Sequence, residues 1–453
     1  MREPAVSGMF YPGDKSELEE MIDKFLDNVP KSTAEGELKC LVVPHAGYDY
    51  SGQVAAYAYK ELIGQSYDSV IILGPSHRVY FDGVSVGKFD YYKTPLGKVM
   101  VDQDLAQRLI KADKKITFNR FAHEQEHSVE VQVPFLQKVH KNLKIVPIVY
   151  GDQSLDASSM MARAILDSIG NKKVLVIASS DFSHFYPYDK AKEMDEVALN
   201  AIESGNITLL AEMLSKKKCE LCGYGPVFTT MMVANAVGAS EIDVLKYANS
   251  GDVTGDKSRV VGYASIAFRK VEYSFTNEDK KKLLKIARET LDAYLIKGKT
   301  PDFKVAEGIL TQRRGAFVTL TKNGKLRGCI GYIQPVKPLY QAVQEMAIAA
   351  ATRDTRFPSI TASELKDIKI EISALSPLQR IYDVNKIEVG KHGLYIIKGW
   401  ASGLLLPQVA TDLGWDREEF LENVCRKAML PLNAWKDKDA ELYIFSAEIF
   451  HEE

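Results

Sequence analysis

The apolar positions begin, after an extended FYPGD segment, with a helix: Leu18, Met21, Ile22, Phe25 and Leu26 recur at intervals of three and four. Ser16 and Glu19 stand at its start in the S-x-x-E spacing of a capping box. From there short β-branched runs at 41–43, 70–73, 145–149, 174–177 and 244–246 alternate with longer stretches of helical period. Such alternation predicts an α/β sheet with helices on its faces. The pattern changes after Phe268, where a new amphipathic helix starts behind Thr276 and Asn277, carries Leu283, Leu284, Ile286, Ala287, Leu291 and Tyr294, and stops near Gly298. A boundary is placed at 270–276, giving domains of 1–272 and 273–453. The second block mixes strands (315–321, 368–374, 394–397, 440–449) with helices (339–352, 417–428) in no regular βαβ order, which predicts a smaller α+β domain.

A length of 453 residues suits two or three domains that each bury a core. Lys and Arg number 58 against 60 Asp and Glu, a formal net charge of -2, so no global field draws nucleic acid or anionic membrane. No stretch approaches the run of about 20 apolar residues that a membrane span needs. Neither partner is expected. The amino terminus lacks a secretory apolar region and a lipidation pattern, so a cytoplasmic location is expected. Five cysteines (Cys40, Cys219, Cys222, Cys329, Cys425) are odd in number and sparse, which points to reduced thiols. Cys219 and Cys222 form a C-x-x-C pair, read as structural because no second pair completes a zinc site.

Ligands of open α/β sheets bind beyond the carboxyl ends of the strands. The run ending at Val43 is followed by Pro44-His45-Ala46-Gly47, and the one ending at Leu73 by Gly74-Pro75-Ser76-His77. Beyond Ile177 comes Ser179-Ser180-Asp181-Phe182-Ser183-His184, and after Lys246 comes Tyr247-Ala248-Asn249-Ser250-Gly251-Asp252. Four strand ends thus direct three histidines and two aspartates toward one crevice. Two imidazoles with one carboxylate form the facial ligand set of non-haem Fe(II) sites. His45 and His77 are the first candidates as metal ligands; Asp252, Asp181 and a thiol stay open as the third. His184 suits proton transfer, with Asp181 three residues earlier placed to orient its ring.

In HEQEHSVEVQVPFL, His127 and Glu130 are three apart and could share a helical face pointing into the crevice, against the plainer alternative of a solvated helix start. His123 to His127 also spells H-E-x-x-H, but Pro134 follows closely and no metzincin extension is present, so peptidase chemistry ranks below the crevice. No Walker loop or G-x-G-x-x-G occurs, which removes the usual support for P-loop NTPases and dinucleotide dehydrogenases. In the second block GKLRGCIGYIQP places Arg327 and Cys329 in a Gly-flanked turn after the strand at 315–321. Cys329 is a candidate reactive thiol, with a small buried hydrophobe as the plainer account. Arg353, Asp354 and Arg356 in AATRDTRFPSI read as an ion-paired helix terminus.

Six ordered motifs, REPAVSGMFYP, VVPHAGYDYSG, LGPSHRVYFDGVSV, EHSVEVQVPFLQ, SSDFSHF and YANSGDVTG…VVGYASIAF, make residues 2–269 resemble the Memo family. Its fold is similar to that of class III extradiol dioxygenases of the LigB type. The resemblance carries the family's metal-binding histidines onto His45 and His77, and further active-site residues onto Asp181 and His184. The eukaryotic Memo pattern has a Cys in the loop after the last-but-one strand, where this sequence reads Gly251-Asp252-Val253. Asp252 is therefore expected to restore a two-His-one-carboxylate set. LRGCIG, RDTRFPSI, EISALSP, LLLPQVA and a W…FL…C.KA pattern make residues 276–450 resemble the AMMECR1 family.

Memo-like and AMMECR1-like proteins are components B and A of the AmmeMemoRadiSam system, whose third member is a radical SAM enzyme. The resemblance implies a fusion of the first two that acts with a radical SAM partner on an unidentified small-molecule or peptide substrate, through a redox- or oxygenase-like metal crevice. The implied cofactor is a divalent metal, Fe(II), with Zn(II) or Cu as alternatives. A non-enzymatic adaptor for a peptide or phosphorylated ligand and an extradiol dioxygenase stay open beside it, so enzyme and binding module are not separated at this point. The site residues expected are His184, Asp181 and His127 as catalytic groups, His45, His77 and Asp252 as metal ligands, and Arg327 with Cys329 as a second-domain site.

Overall fold

The computed structural model describes residues 1–31, 34–271, 274–305, 308–437 and 439–452. The chain divides into two units, Met1–Val271 and Glu272–Glu453. The expected join at 272–273 lies outside the described residues.

The middle of the first unit's sheet is parallel. Strands Glu37–Val43, Val174–Ser179, Ser69–Pro75 and Lys144–Tyr150 lie side by side in that order. Val260–Lys270 runs antiparallel along Glu37–Val43 and pairs in turn with Glu241–Asn249. Because successive side chains of a strand point to opposite faces, the parallel strands feed two cores. Cys40, Val42, Ile71, Leu73, Val146, Ile148 and Val176 join the core that also holds residues of helices Gln103–Ala112, Leu155–Ile169 and Tyr224–Ala236. Leu41, Val43, Val70, Ile72, Ile145, Leu175 and Ile177 join the core with helices Lys15–Asp27, Tyr48–Lys60 and Gln132–Val139. Burial on both faces is why these strands read as unbroken apolar runs.

The first helix is capped by Asp14 and not by the Ser16–Glu19 pair. Asp14 has extended backbone, and its carboxylate accepts from the amides of Ser16 and Glu17, a charged acceptor at the position the helix start requires. Among the described residues no helix is long and apolar enough to cross a membrane.

In the second unit the helix Asn277–Lys297 carries a Thr276–Asp279 capping box and ends at Gly298, whose φ of 65° favours glycine. Two four-stranded antiparallel sheets follow. One orders Lys325–Tyr332, Ala316–Lys322, Ile368–Leu375 and Ala447–His451; the other orders Gln379–Ile381, Glu441–Phe445, Gly393–Lys398 and Ala401–Leu405. The run expected as one strand at 440–449 is thus two strands in different sheets. The chain switches at Ser446, whose amide donates to Ser376 Oγ and whose carbonyl accepts from the Ser376 amide.

Arg327 and Cys329 also depart from expectation, for they lie inside the strand Lys325–Tyr332 and not in a turn. The hairpin turn is made by Asn323 and Gly324, both at positive φ. Gly328 permits close approach: a Cβ there would lie 2.1 Å from the Ala350 carbonyl oxygen of the helix Leu339–Thr352. This strand is the sheet's edge. Asp354 Oδ2 accepts from the Cys329 amide at 2.8 Å, and Arg356 donates to the Cys329 carbonyl at 3.3 Å. The RDTR loop therefore occupies the edge that another strand would otherwise extend.

Candidate metal centre

Parallel pairing sets Val43 beside Ser179 and Leu73 beside Ala178, so the segments carrying His45, His77 and Asp181 leave the same edge of the sheet. The rings of His45 and His77 lie 5.1 Å apart, those of His77 and His127 4.5 Å, and those of His45 and His127 5.4 Å.

The hydrogen bonds around His45 decide its tautomer. Its Nδ1 is 2.9 Å from Ser179 Oγ. The single hydroxyl proton of Ser179 goes to the Ser128 carbonyl at 2.6 Å, and Gln132 Nε2 donates into the same oxygen at 2.7 Å. His45 must therefore donate from Nδ1, which leaves Nε2 as an unprotonated atom facing the crevice. Cys222 Sγ lies 3.2 Å from that Nε2. Burial first and His77 second pull the His45 imidazole down to about 3.

Glu126 sets His77. Its carboxylate accepts the His77 amide at 2.6 Å and the Ser128 amide at 2.9 Å, and lies 2.9 Å from His77 Nδ1, so that His77 also presents Nε2. Burial opposes the charge on Glu126, but the hydrogen bond and charge of His77 outweigh it and hold the carboxyl at about 2.

Donor atoms of His45, His77 and Cys222 all lie within 4.8 Å of one another. His77, Glu126 and His127 satisfy the same distance, but the Glu126 oxygens are already engaged by three N–H groups. The first group fits a metal better. Burial pushes the Cys222 thiol up and Asp181 adds to this, while the Asp181 amide donates to the sulfur at 3.2 Å. A cation against the sulfur supplies the charge that stabilises a thiolate there. Two imidazoles with outer partners and one thiol suit a borderline or soft cation.

Asp252 is the expected ligand that the fold places elsewhere. It belongs to neither donor group; its carboxylate accepts from the Asn249 amide at 2.9 Å and from Tyr188 Oη at 2.7 Å, completing the capping box of a short helix at Ser250–Thr254. Asp181 is buried, accepts from the His45 amide at 2.8 Å, and its carbonyl accepts from the Cys222 amide at 3.2 Å. It ties two of the three donors together, and burial pushes its carboxyl up. It does not orient His184. That ring stands at the mouth, 26% exposed, with Nδ1 3.4 Å from Glu220 Oε1.

His127 stacks on His77 and is pulled down to about 3 by burial and by His45; its Nδ1 has no hydrogen-bond partner among the described residues. Glu130 does not share its face. Residues 128–131 form a turn, and Glu130 points into the unit, where it accepts from Arg2, the Ala5 and Val6 amides and Tyr11 Oη. His123 is also removed from the crevice, between Ser85 Oγ and Tyr92 Oη, and the helix Arg120–Glu124 ends before His127. The two histidines of the H-E-x-x-H string therefore share no helical face.

In the second unit Arg327 pairs with Glu364 and donates to the Pro358 carbonyl at 2.6 Å, and Cys329 Sγ accepts from Thr319 Oγ1 at 3.2 Å. The residue missed by sequence reasoning is Cys222. Its one sequence cue is the adjoining Gly223, where a Cβ would lie 2.5 Å from the Ser179 carbonyl oxygen, so glycine lets this loop close on the strand end.

The model of the Memo-like protein family matches residues 2–267, and that of AMMECR1 matches residues 284–450. A MEMO1 family protein of Sulfolobus acidocaldarius is 42% identical over 282 residues, covering 59% of this chain and 99% of the relative. One of Methanobrevibacter smithii is 41% identical over 281 residues, covering 59% of this chain and 100% of the relative. Among solved structures, an uncharacterized protein from Pyrococcus horikoshii is 40% identical, with a TM-score of 0.38, over 40% of this chain and 95% of its own. The chain belongs to the Memo-like family and joins its Memo part to an AMMECR1 domain in one polypeptide.

Proposed function

We propose that the Memo part is a metal-dependent centre in which His45, His77 and Cys222 hold a borderline or soft cation. The observation that carries this is the convergence of His45 Nε2 and Cys222 Sγ at 3.2 Å, with Nδ1 of His45 committed to Ser179. Replacing the expected carboxylate by a thiol moves the preference from Fe(II) toward Zn(II) or Cu. When bound, the cation supplies a Lewis-acidic or redox-active centre with positions left for substrate. The chain's own groups handle protons around it. His127 is a neutral imidazole with Nδ1 3.4 Å from Glu126 Oε1, the Asp181 carboxyl is pushed up by burial, and His184 is partly exposed beside Glu220.

The test is metal content after loading separately with Fe(II), Zn(II) and Cu(I) under anaerobic conditions, for wild type, Cys222→Ala, His77→Ala and Asp252→Ala. Retention by wild type and Asp252→Ala with loss in the other two is expected. Equal metal in wild type and Cys222→Ala overturns the assignment.

We further propose that the fused chain acts in the cytoplasm with a radical SAM protein on an unidentified substrate, as the family resemblance implies. Covalent joining of the two parts supports this by raising the concentration of one at the other. Anaerobic size-exclusion of the chain with a purified radical SAM protein of the same genome tests the partnership, and separate elution at micromolar concentrations counts against it.

A further inference from the structure

We propose that a groove in the second unit, between the helix Asn277–Lys297 and the strands Ile368–Leu375 and Ala447–His451, binds an acidic peptide segment that carries apolar side chains. The cavity measures about 960 Å³, the upper part of the range for bound ligands. Leu284, Leu365 and Phe450 give it apolar lining, and five basic side chains stand against two carboxylates around it.

The carboxylates do not cancel the basic groups. Glu452 is engaged by Arg288, whose Nε donates to Oε1 at 2.9 Å, and by the Ile370 amide at 3.1 Å. Arg288 also donates to the carbonyls of Leu365 and Ile368, so this pair is a fixed part of the wall. Lys280 is held by Glu448 at 2.5 Å. Lys281 and Lys366 are exposed and make no ion pair within 4.0 Å among the described residues. The second carboxylate, Asp292, lies eleven residues along the helix from Lys281, about 16 Å away at the helical rise. Lys366 follows Leu365, whose carbonyl accepts from Arg288 one turn from Asp292, so the two unpaired lysines stand toward opposite ends of the groove.

A peptide suits this surface better than nucleic acid. Phe450 is the one Phe, Tyr or Trp lining the groove, and it is buried, so no aromatic platform is offered to a base. Apolar lining beside unpaired lysines matches side chains alternating with carboxylates along an extended segment.

The test is fluorescence anisotropy of a labelled peptide of alternating aspartate and leucine, with labelled oligo-dT as a second arm, against the full chain. The peptide is expected to bind, and Lys281→Glu/Lys366→Glu to weaken it about tenfold or more. Lys282→Glu/Lys285→Glu changes net charge equally outside the groove and is expected to stay within about twofold of wild type. Absence of peptide binding, equal weakening by both double variants, or tighter binding of oligo-dT overturns the proposal.

Discussion

Glu130→Gln tests how the amino-terminal segment is held to the loop that carries the metal-site residues. Glu130 is fully buried; Oε2 accepts from Arg2 and from the Ala5 amide at 2.8 Å, and Oε1 accepts from the Val6 amide at 3.1 Å and from Tyr11 Oη at 2.6 Å. Glutamine keeps one oxygen. With that oxygen on Arg2 and Ala5, the Tyr11 hydroxyl can rotate to accept from the new amide group, but the Val6 N–H meets a donor. The orphaned N–H costs about 1–3 kcal/mol, and breaking a buried ion pair costs about 3–5 kcal/mol. The two overlap, so a loss of about 3–5 kcal/mol is expected. For a unit of this size that lowers its Tm by roughly 6–20 °C, followed by near-UV circular dichroism. Replacing both partners, in Arg2→Met/Glu130→Met, should not recover the loss, because the Ala5 and Val6 amides, the Tyr11 hydroxyl and the carbonyls of His123 and Glu126 are then left without their partners. The damage should reach the site as well, since Arg2 also donates to the carbonyls of Glu126 at 2.6 Å and His123 at 3.1 Å. A Glu130→Gln unit within about 1 kcal/mol of wild type would refute the reasoning.

Glu126→Gln should weaken metal binding about 10- to 100-fold in chelator competition, because one oxygen cannot serve both His77 contacts and Ser128; unchanged affinity would remove Glu126 as the group that orients His77. Acid should destabilise the first unit through His123, which burial holds at about 3 against an ordinary 6.5. The folded state binds fewer protons than the unfolded one, so this stability is present above about pH 6.5 and is lost as pH falls toward about 3. Between pH 7.5 and pH 5 the His123 share is about 2 kcal/mol, and His123→Gln should flatten the dependence of the urea midpoint by that amount. In the second unit Asp354→Ala frees the Cys329 amide at the sheet edge and should cost about 1–3 kcal/mol, with faster amide exchange at Cys329 as its local mark. Gly262→Ala should destabilise the first unit, since a Cβ there would lie 1.9 Å from Asp195 Oδ2; wild-type stability would mean that Asp195 moves freely.

The order of amino acids alone specified the alternation of strands and helices, the change of pattern after Phe268, and the strand ends that carry His45, His77 and Asp181. It could do so because period and burial are local: a strand buried on both faces reads as an apolar run wherever its neighbours come from. Which loops meet is not local. Cys222 reaches His45 across 177 positions, from a loop closed onto Ser179 by Gly223, and nothing in its C-x-x-C spacing reports that approach. Asp252 stands at a strand end in the same manner as Asp181, yet its carboxylate is taken by Asn249 and Tyr188. Glu130 is three residues from His127 but faces Arg2, because a turn and not a helix joins them. Spacing along the chain fixes neighbours within one element only. The third donor, the tautomer of His45 and the burial of Glu130 were decided by contacts between elements far apart in sequence, which exist only once the sheet and its helices have packed.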